Sequence, residues 1–253
     1  GGSKRDIMKA FGEGASRFGV EVSYVEHHQY IKSDFAMVFA YKSEGTDSPN
    51  HRFRQEVVKS HNDNIFFVDS NVLKAYEKDV RYFRFPQSSI HPHEANYMID
   101  GDTSRNNQII KHMNIDIKPW RKDGKHICLF LNRGIGGFST FGKPCYEWAK
   151  ETIWNIRQYT DRPILIRSHR HAGTSPQLKE DLKNLDDIML EHTDITHTRL
   201  GETSIYDDLK NAWACVVYTS TSGAVAMLEG VPMFSTHEAC FSHQWSAGKL
   251  SDI

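Results

Sequence analysis

The chain reads as an α/β protein made of two Rossmann-like, doubly wound domains. Three observations predict this. Strand-sized apolar runs recur at DFAMVFAY (34–41), NIFFVDS (64–70), HICLFLN (126–132), PILIRSH (163–169) and CVVYTS (215–220). Segments of helical period separate most of them, the alternation that builds a parallel sheet covered on both faces. The series is interrupted once, by the polar stretch KPWRKDGK at 118–125. The domains are therefore expected at 1–117 and 126–253, with 118–125 as the linker.

In chain order, Ile7, Met8, Phe11, Ala15 and Phe18 recur at near-helical spacing and stop at Gly19, a helix over 6–18. The β-branched alternation of 20–25 predicts a strand, and 34–41 a second one buried on both faces. A charged helix at 50–60 and a strand at 64–70 follow. A doubly wound domain ordinarily begins on a strand, so the opening helix suggests that the first strand of this domain is missing. The region 82–123, rich in Pro, His, Asn, Asp and Arg, has weak periodicity. Beyond the linker the order is strand 126–132, helix 144–159, strand 163–169, helix 177–185, strand 195–199, helix 204–212, strand 215–220, helix 223–229 and strand 232–236.

Composition narrows the function classes. Of 253 residues, 31 are basic and 32 acidic, a formal charge of −1, so binding to nucleic acid through overall positive charge is excluded. The one basic run is Lys111, His112, Lys118, Arg121, Lys122, Lys125 and His126, the sole local candidate for a groove that meets DNA, and it reads first as a solvated linker face. No stretch reaches the ~18 apolar residues of a membrane span, and a cytoplasmic location is expected. The four cysteines, Cys128, Cys145, Cys215 and Cys240, form no zinc-ligand spacing and read as reduced core thiols. P-loop and nucleophile-elbow motifs are absent, and GIGGF is an incomplete dinucleotide fingerprint.

The strongest local signal is YTSTSGAVAMLEGVPMFS (218–235). A buried strand runs into Thr219, Ser220, Thr221, Ser222 and Gly223, which open a helix closed by Gly230 and Pro232. Small hydroxyl residues at a helix N-terminus suit a phosphate and are equally the preferred caps. Two further loops follow strand ends: RGIGGFSTFG, with Gly136 and Gly137, and IRSHRH, with Arg167, His169 and Arg170. Strand ends are where open α/β sheets bind ligands.

From about His126 to Thr236 these segments resemble the donor half of GT-B glycosyltransferases. IRSHRH is similar to the arginine–histidine loop of capsule polysaccharide transferases, and the compact style is similar to uncharacterised phage and viral glycosyltransferases. The resemblance implies two domains facing a cleft and an inverting, metal-independent transfer from a nucleotide sugar, with no cofactor. The acceptor would be a polysaccharide or, in a phage context, a hydroxymethylated DNA base. Donor contacts would come from Gly136, Gly137, Arg167, His169, Arg170 and Thr219 to Gly223. The ribose-binding glutamate of many such enzymes is replaced by Val225.

Such a transfer needs a base near the acceptor hydroxyl, because the oxygen must lose its proton as it attacks. In this family the base usually comes from the first half, where the candidates are Asp69, the cluster His91, His93 and Glu94, and Glu13. His91-Pro92-His93-Glu94 also reads as a metal cluster, but no functional metal is expected. Two other functions fit the same pattern: a nucleotide-sugar epimerase, and a non-catalytic sugar- or phosphate-binding module.

Overall fold

The computed structural model describes residues 4–25, 29–39, 49–73, 76, 81–96, 103–132, 143–168, 183–184, 194–199 and 203–253. The chain divides into two compact units, Gly1–Met113 and Asn114–Ile253.

In the first unit, helix α1 (Lys4–Ser16) is followed by strand β1 (Ala36–Phe39), helix α2 (Pro49–His61), strands β2 (Ile65–Ser70) and β3 (Phe83–Arg84), and helix α3 (Ser104–Met113). β1 pairs parallel with β2, and β3 joins the other edge antiparallel. The described sheet is thus one βαβ unit with an antiparallel edge, not the doubly wound domain expected. Its core joins Val38, Ile65 and Phe67 of the sheet to Val57 of α2.

Two local expectations change. Residues 20–25 form no strand. Val20, Tyr24 and Val25 stay exposed, because alternation makes a strand only where a neighbouring strand takes its hydrogen bonds. The segment instead crosses α1 at Gly12, where an added Cβ would stand 2.3 Å from Tyr24 Oη. The weakly periodic region holds both β3 and α3. It also contains a loop closed by paired bonds between Gln87 and Asn96, at 3.2 and 3.0 Å.

The second unit contains strand β4 (His126–Phe130), helix α4 (Cys145–Arg157), strands β5 (Ile164–Ser168) and β6 (Ile195–Arg199), helix α5 (Ile205–Leu209), strand β7 (Ala212–Val217), helix α6 (Ser222–Leu228) and strand β8 (Met233–Ser235). All five strands are parallel, in the order β6-β5-β4-β7-β8. This is a doubly wound sheet. Ile127, Leu129, Ile164, Ile166, Ala214 and Val216 bury one face against Trp148, Ala149, Ile153 and Ile156 of α4. By alternation, Cys128, Phe130, Cys215 and Val217 form the other face.

The stretch read as a linker is part of this unit. The amides of Lys118 and Arg121 donate to Leu228 O (3.1 Å) and Gly230 O (2.8 Å). The Arg121 guanidinium donates to the carbonyls of Leu209, Lys210, Ala212 and Glu229. Lys118 pairs with Glu229, and His126 Nε2 lies 2.8 Å from Asp208 O. Arg121 and His126 are therefore half-buried and bonded within the unit, whereas Lys111, His112, Lys118, Lys122 and Lys125 stay exposed, as a solvated face would.

Candidate functional site

In a sheet of this order the chain runs outward one way through β4, β5 and β6, then crosses to β7 on the other side of β4 and runs outward to β8. The winding thus reverses between β4 and β7, and the carboxyl ends of those two strands are where such sheets bind ligands. Asn132, two residues beyond β4, bridges that point. Its side-chain amide donates to Thr219 Oγ1, and its Oδ1 accepts from the Thr219 amide at 3.4 Å. The Asn132 carbonyl also accepts from Cys145 Sγ at 3.7 Å, at the start of α4. One residue thus ties together the ends of both strands and the first turn of a helix. Sequence reasoning missed it, because a lone asparagine after a strand gives no local signal.

The turn 219–223 lies where a ligand of such a sheet binds, but it is built differently from the expectation. The Ser222 amide donates to Ser220 Oγ (3.3 Å), that of Gly223 to Ser220 O (3.1 Å) and that of Ala224 to Thr221 O (3.1 Å). These amides are satisfied within the turn, so hydroxyls are what it presents. Thr221 is exposed, and Thr219, Ser220 and Ser222 are half-buried. Gly223 is buried for packing: a Cβ there would stand 2.9 Å from Ser242 Oγ and 3.1 Å from Val217 Cγ2.

Arg167, expected as a phosphate clamp, is 4% exposed and held internally. Its guanidinium pairs with Asp208, donates to Thr203 Oγ1 (3.0 Å) and O (2.8 Å), and Thr203 Oγ1 in turn donates to Asp208 at 3.1 Å. The triad joins β5 to α5. Beside it, burial and then the Asp208 charge push the Cys128 thiol far up. Ser168, the last residue of β5, is 3% exposed, and its hydroxyl has no partner among the described residues. Gly136, Gly137, His169 and Arg170 lie outside the described residues.

Beyond β7 the edge carries aromatic groups. Tyr218 packs on His237 (ring centroids 4.8 Å apart) and on Trp148 (5.7 Å), and Trp148 Nε1 donates to Thr236 Oγ1 at 2.8 Å. Burial raises the Tyr218 hydroxyl above its ordinary pKa.

In the first unit the candidate bases fall into three places. Asp69 pairs with Arg84 across β2 and β3 and accepts from the Ser70 amide at 2.7 Å. Glu94 accepts from Ser89 Oγ (2.8 Å) and faces His93 Nε2 (3.5 Å), with the His91 and His93 rings 6.0 Å apart. The loop closed by Gln87 and Asn96 holds this cluster together. Glu13 lies apart from both, on α1. Among the described residues no three His, Cys, Asp or Glu side chains form a metal-binding group, and no helix is long and apolar enough to cross a membrane.

No protein-family model matches the chain, and neither does any curated protein. Solved structures do. The chain shares its fold with a glycosyltransferase. The KpsC beta Kdo 2,4 transferase of Thermosulfurimonas dismutans is similar with a TM-score of 0.50 and 10% identity, over 80% of this chain and 69% of that one. The beta Kdo 2,7 transferase of KpsC from the same organism gives 0.48 and 15%, over 97% and 74%. At these identities the likeness is one of fold.

Proposed function

We propose that this chain is a glycosyltransferase that moves a sugar from a nucleotide-activated donor to an acceptor hydroxyl of a glycan, with inversion and without a metal. The observation that carries the reading is the bond pair by which Asn132, after β4, holds the hydroxyl-rich turn 219–223, after β7, at the point where the winding of the sheet reverses, in a fold similar to a solved Kdo transferase. In this reading Thr219, Ser220, Thr221 and Ser222 meet the donor phosphate through their hydroxyls, and Ser168 adds a buried one. Gly136, Gly137, His169 and Arg170 complete the donor contacts, while Arg167 supports the edge from within.

The His93–Glu94 pair is the base we favour over Asp69, because the Asp69 carboxylate is already engaged by Arg84 and a backbone amide. Glu94 orients His93, which takes the proton of the acceptor hydroxyl. The oxygen then attacks the anomeric carbon, and the nucleotide leaves with the bonding electrons on its phosphate. Hydrogen-bond donors aimed at that phosphate lower the barrier, since they act where charge develops.

The test is calorimetry of nucleotides and nucleotide-activated sugars, an activated Kdo included, followed by a transfer assay with glycan acceptors. A ligand at 100 times its dissociation constant stabilises the protein by about 2.7 kcal/mol, visible as a rise in Tm. Ser222→Ala is expected to weaken donor binding by about 1–3 kcal/mol. Glu94→Gln and His93→Gln are expected to keep donor binding and lose turnover. Binding without turnover on any acceptor would instead mark a sugar-binding module, and turnover without an acceptor an epimerase.

A further inference from the structure

Helix α1 carries Lys9 and Glu13, and Arg17 follows directly after its last residue, so the three recur at four-residue intervals, a spacing at which opposite charges ordinarily pair along a helix. Among the described residues none of the three enters an ion pair. Instead they line a groove of about 560 Å³ together with Ser16, Val22 and Tyr24. Its second wall is segment 20–25, set close on the helix at Gly12 and anchored by the Tyr24 hydroxyl, which donates to Lys9 O at 3.2 Å.

We propose that this groove binds an acidic oligosaccharide. Lys9 and Arg17 stand eight residues apart, about two helical turns, with one carboxylate between them. Cation, carboxylate, cation matches a chain in which acidic groups alternate with hydroxyls. The two cations take two of the sugar carboxylates, Glu13 accepts from hydroxyls between them, and the exposed ring of Tyr24 lies against a sugar face. The volume falls within the range of ligand pockets. That this groove receives the acceptor rests on the transferase reading; that it binds an acidic glycan does not.

The experiment is calorimetric titration of the whole chain with tetragalacturonate and with its fully methyl-esterified form, which keeps the scaffold and removes the charge. The acid is expected to bind at least about tenfold more tightly than the ester, and Lys9→Ala and Arg17→Ala each to weaken the acid about tenfold. Both positions are exposed, so circular dichroism serves as the folding control. Gly12→Ala, which displaces the second wall, is expected to reproduce the loss. Equal binding of acid and ester, no binding of either, or indifference to both charge variants overturns the proposal. Nucleotide binding is followed in the same samples. Retained nucleotide binding and turnover with no glycan binding overturn this inference alone, whereas charge-dependent glycan binding with no nucleotide binding or turnover overturns the transferase reading alone.

Discussion

Arg167 looks like a ligand contact when read from its neighbours in the chain, since it is a cation at the end of a parallel strand. What decides its role is Asp208, distant in sequence and only 3% exposed at its side chain. A buried ion pair contributes little over an apolar pair of the same shape, yet losing one partner strands the other charge. Asp208→Asn is therefore expected to cost about 3–5 kcal/mol in urea unfolding, and Arg167→Met combined with Asp208→Leu to recover most of it. A single variant as stable as the parent would show that the triad does not hold α5 to β5. The turn hydroxyls and the His91 to Glu94 cluster were legible as candidate chemistry from residue type and place. Asn132, Thr203 and Ser168 were not, because each acquires its role from a partner or a burial that no local pattern encodes.

Elements with strong local patterns came out close to expectation. Helix α4 was read as 144–159 and spans Cys145–Arg157, and β5 was read as 163–169 and spans Ile164–Ser168. The strand expected at 20–25 fails for lack of a pairing partner, and the short β3 lies below any periodicity signal. Around α6, glycine serves packing and turn geometry. Gly223 sits against Ser242 and Val217, so Gly223→Ala is expected to destabilise the fold by about 1–3 kcal/mol, as small-to-large changes in tight sites do. Gly230 has φ +75 and an added Cβ would stand 2.5 Å from Pro119 O, so the Gly-x-Pro step turns the chain from α6 into β8 where a side chain does not fit. Thermal unfolding of Gly223→Ala beside Ser222→Ala separates packing from ligand contact: the first lowers Tm without ligand and the second leaves it near the parent value.

At the scale of the molecule, the four described cysteines are buried thiols outside any disulfide, as their spacing led us to expect. Burial raises the Cys128 and Cys215 thiols well above their ordinary range, with neighbouring groups adding smaller effects. In the unfolded chain a thiol ionises near pH ~8.5, while in the fold it stays protonated, so above that pH the unfolded state binds fewer protons. Stability is then fully present below ~8.5 and falls as pH rises, by up to about 1.4 kcal/mol per pH unit for each such thiol. Urea unfolding at pH 7 to 10 checks this, and an unchanged midpoint above pH 9 in the parent but not in a Cys128→Ala control would contradict it. Alternating apolar runs and helix-period segments were enough to establish an α/β chain with a parallel sheet in its second half, because those patterns follow from the pleat and pitch of the backbone itself. The three-dimensional fold alone decided the strand order, the Asn132 link between the ends of β4 and β7, the burial of Arg167 and the charges outside any ion pair near Gly12. Each of these depends on which distant segments meet, and that is settled by the burial of apolar faces and the pairing of buried polar groups across the whole chain.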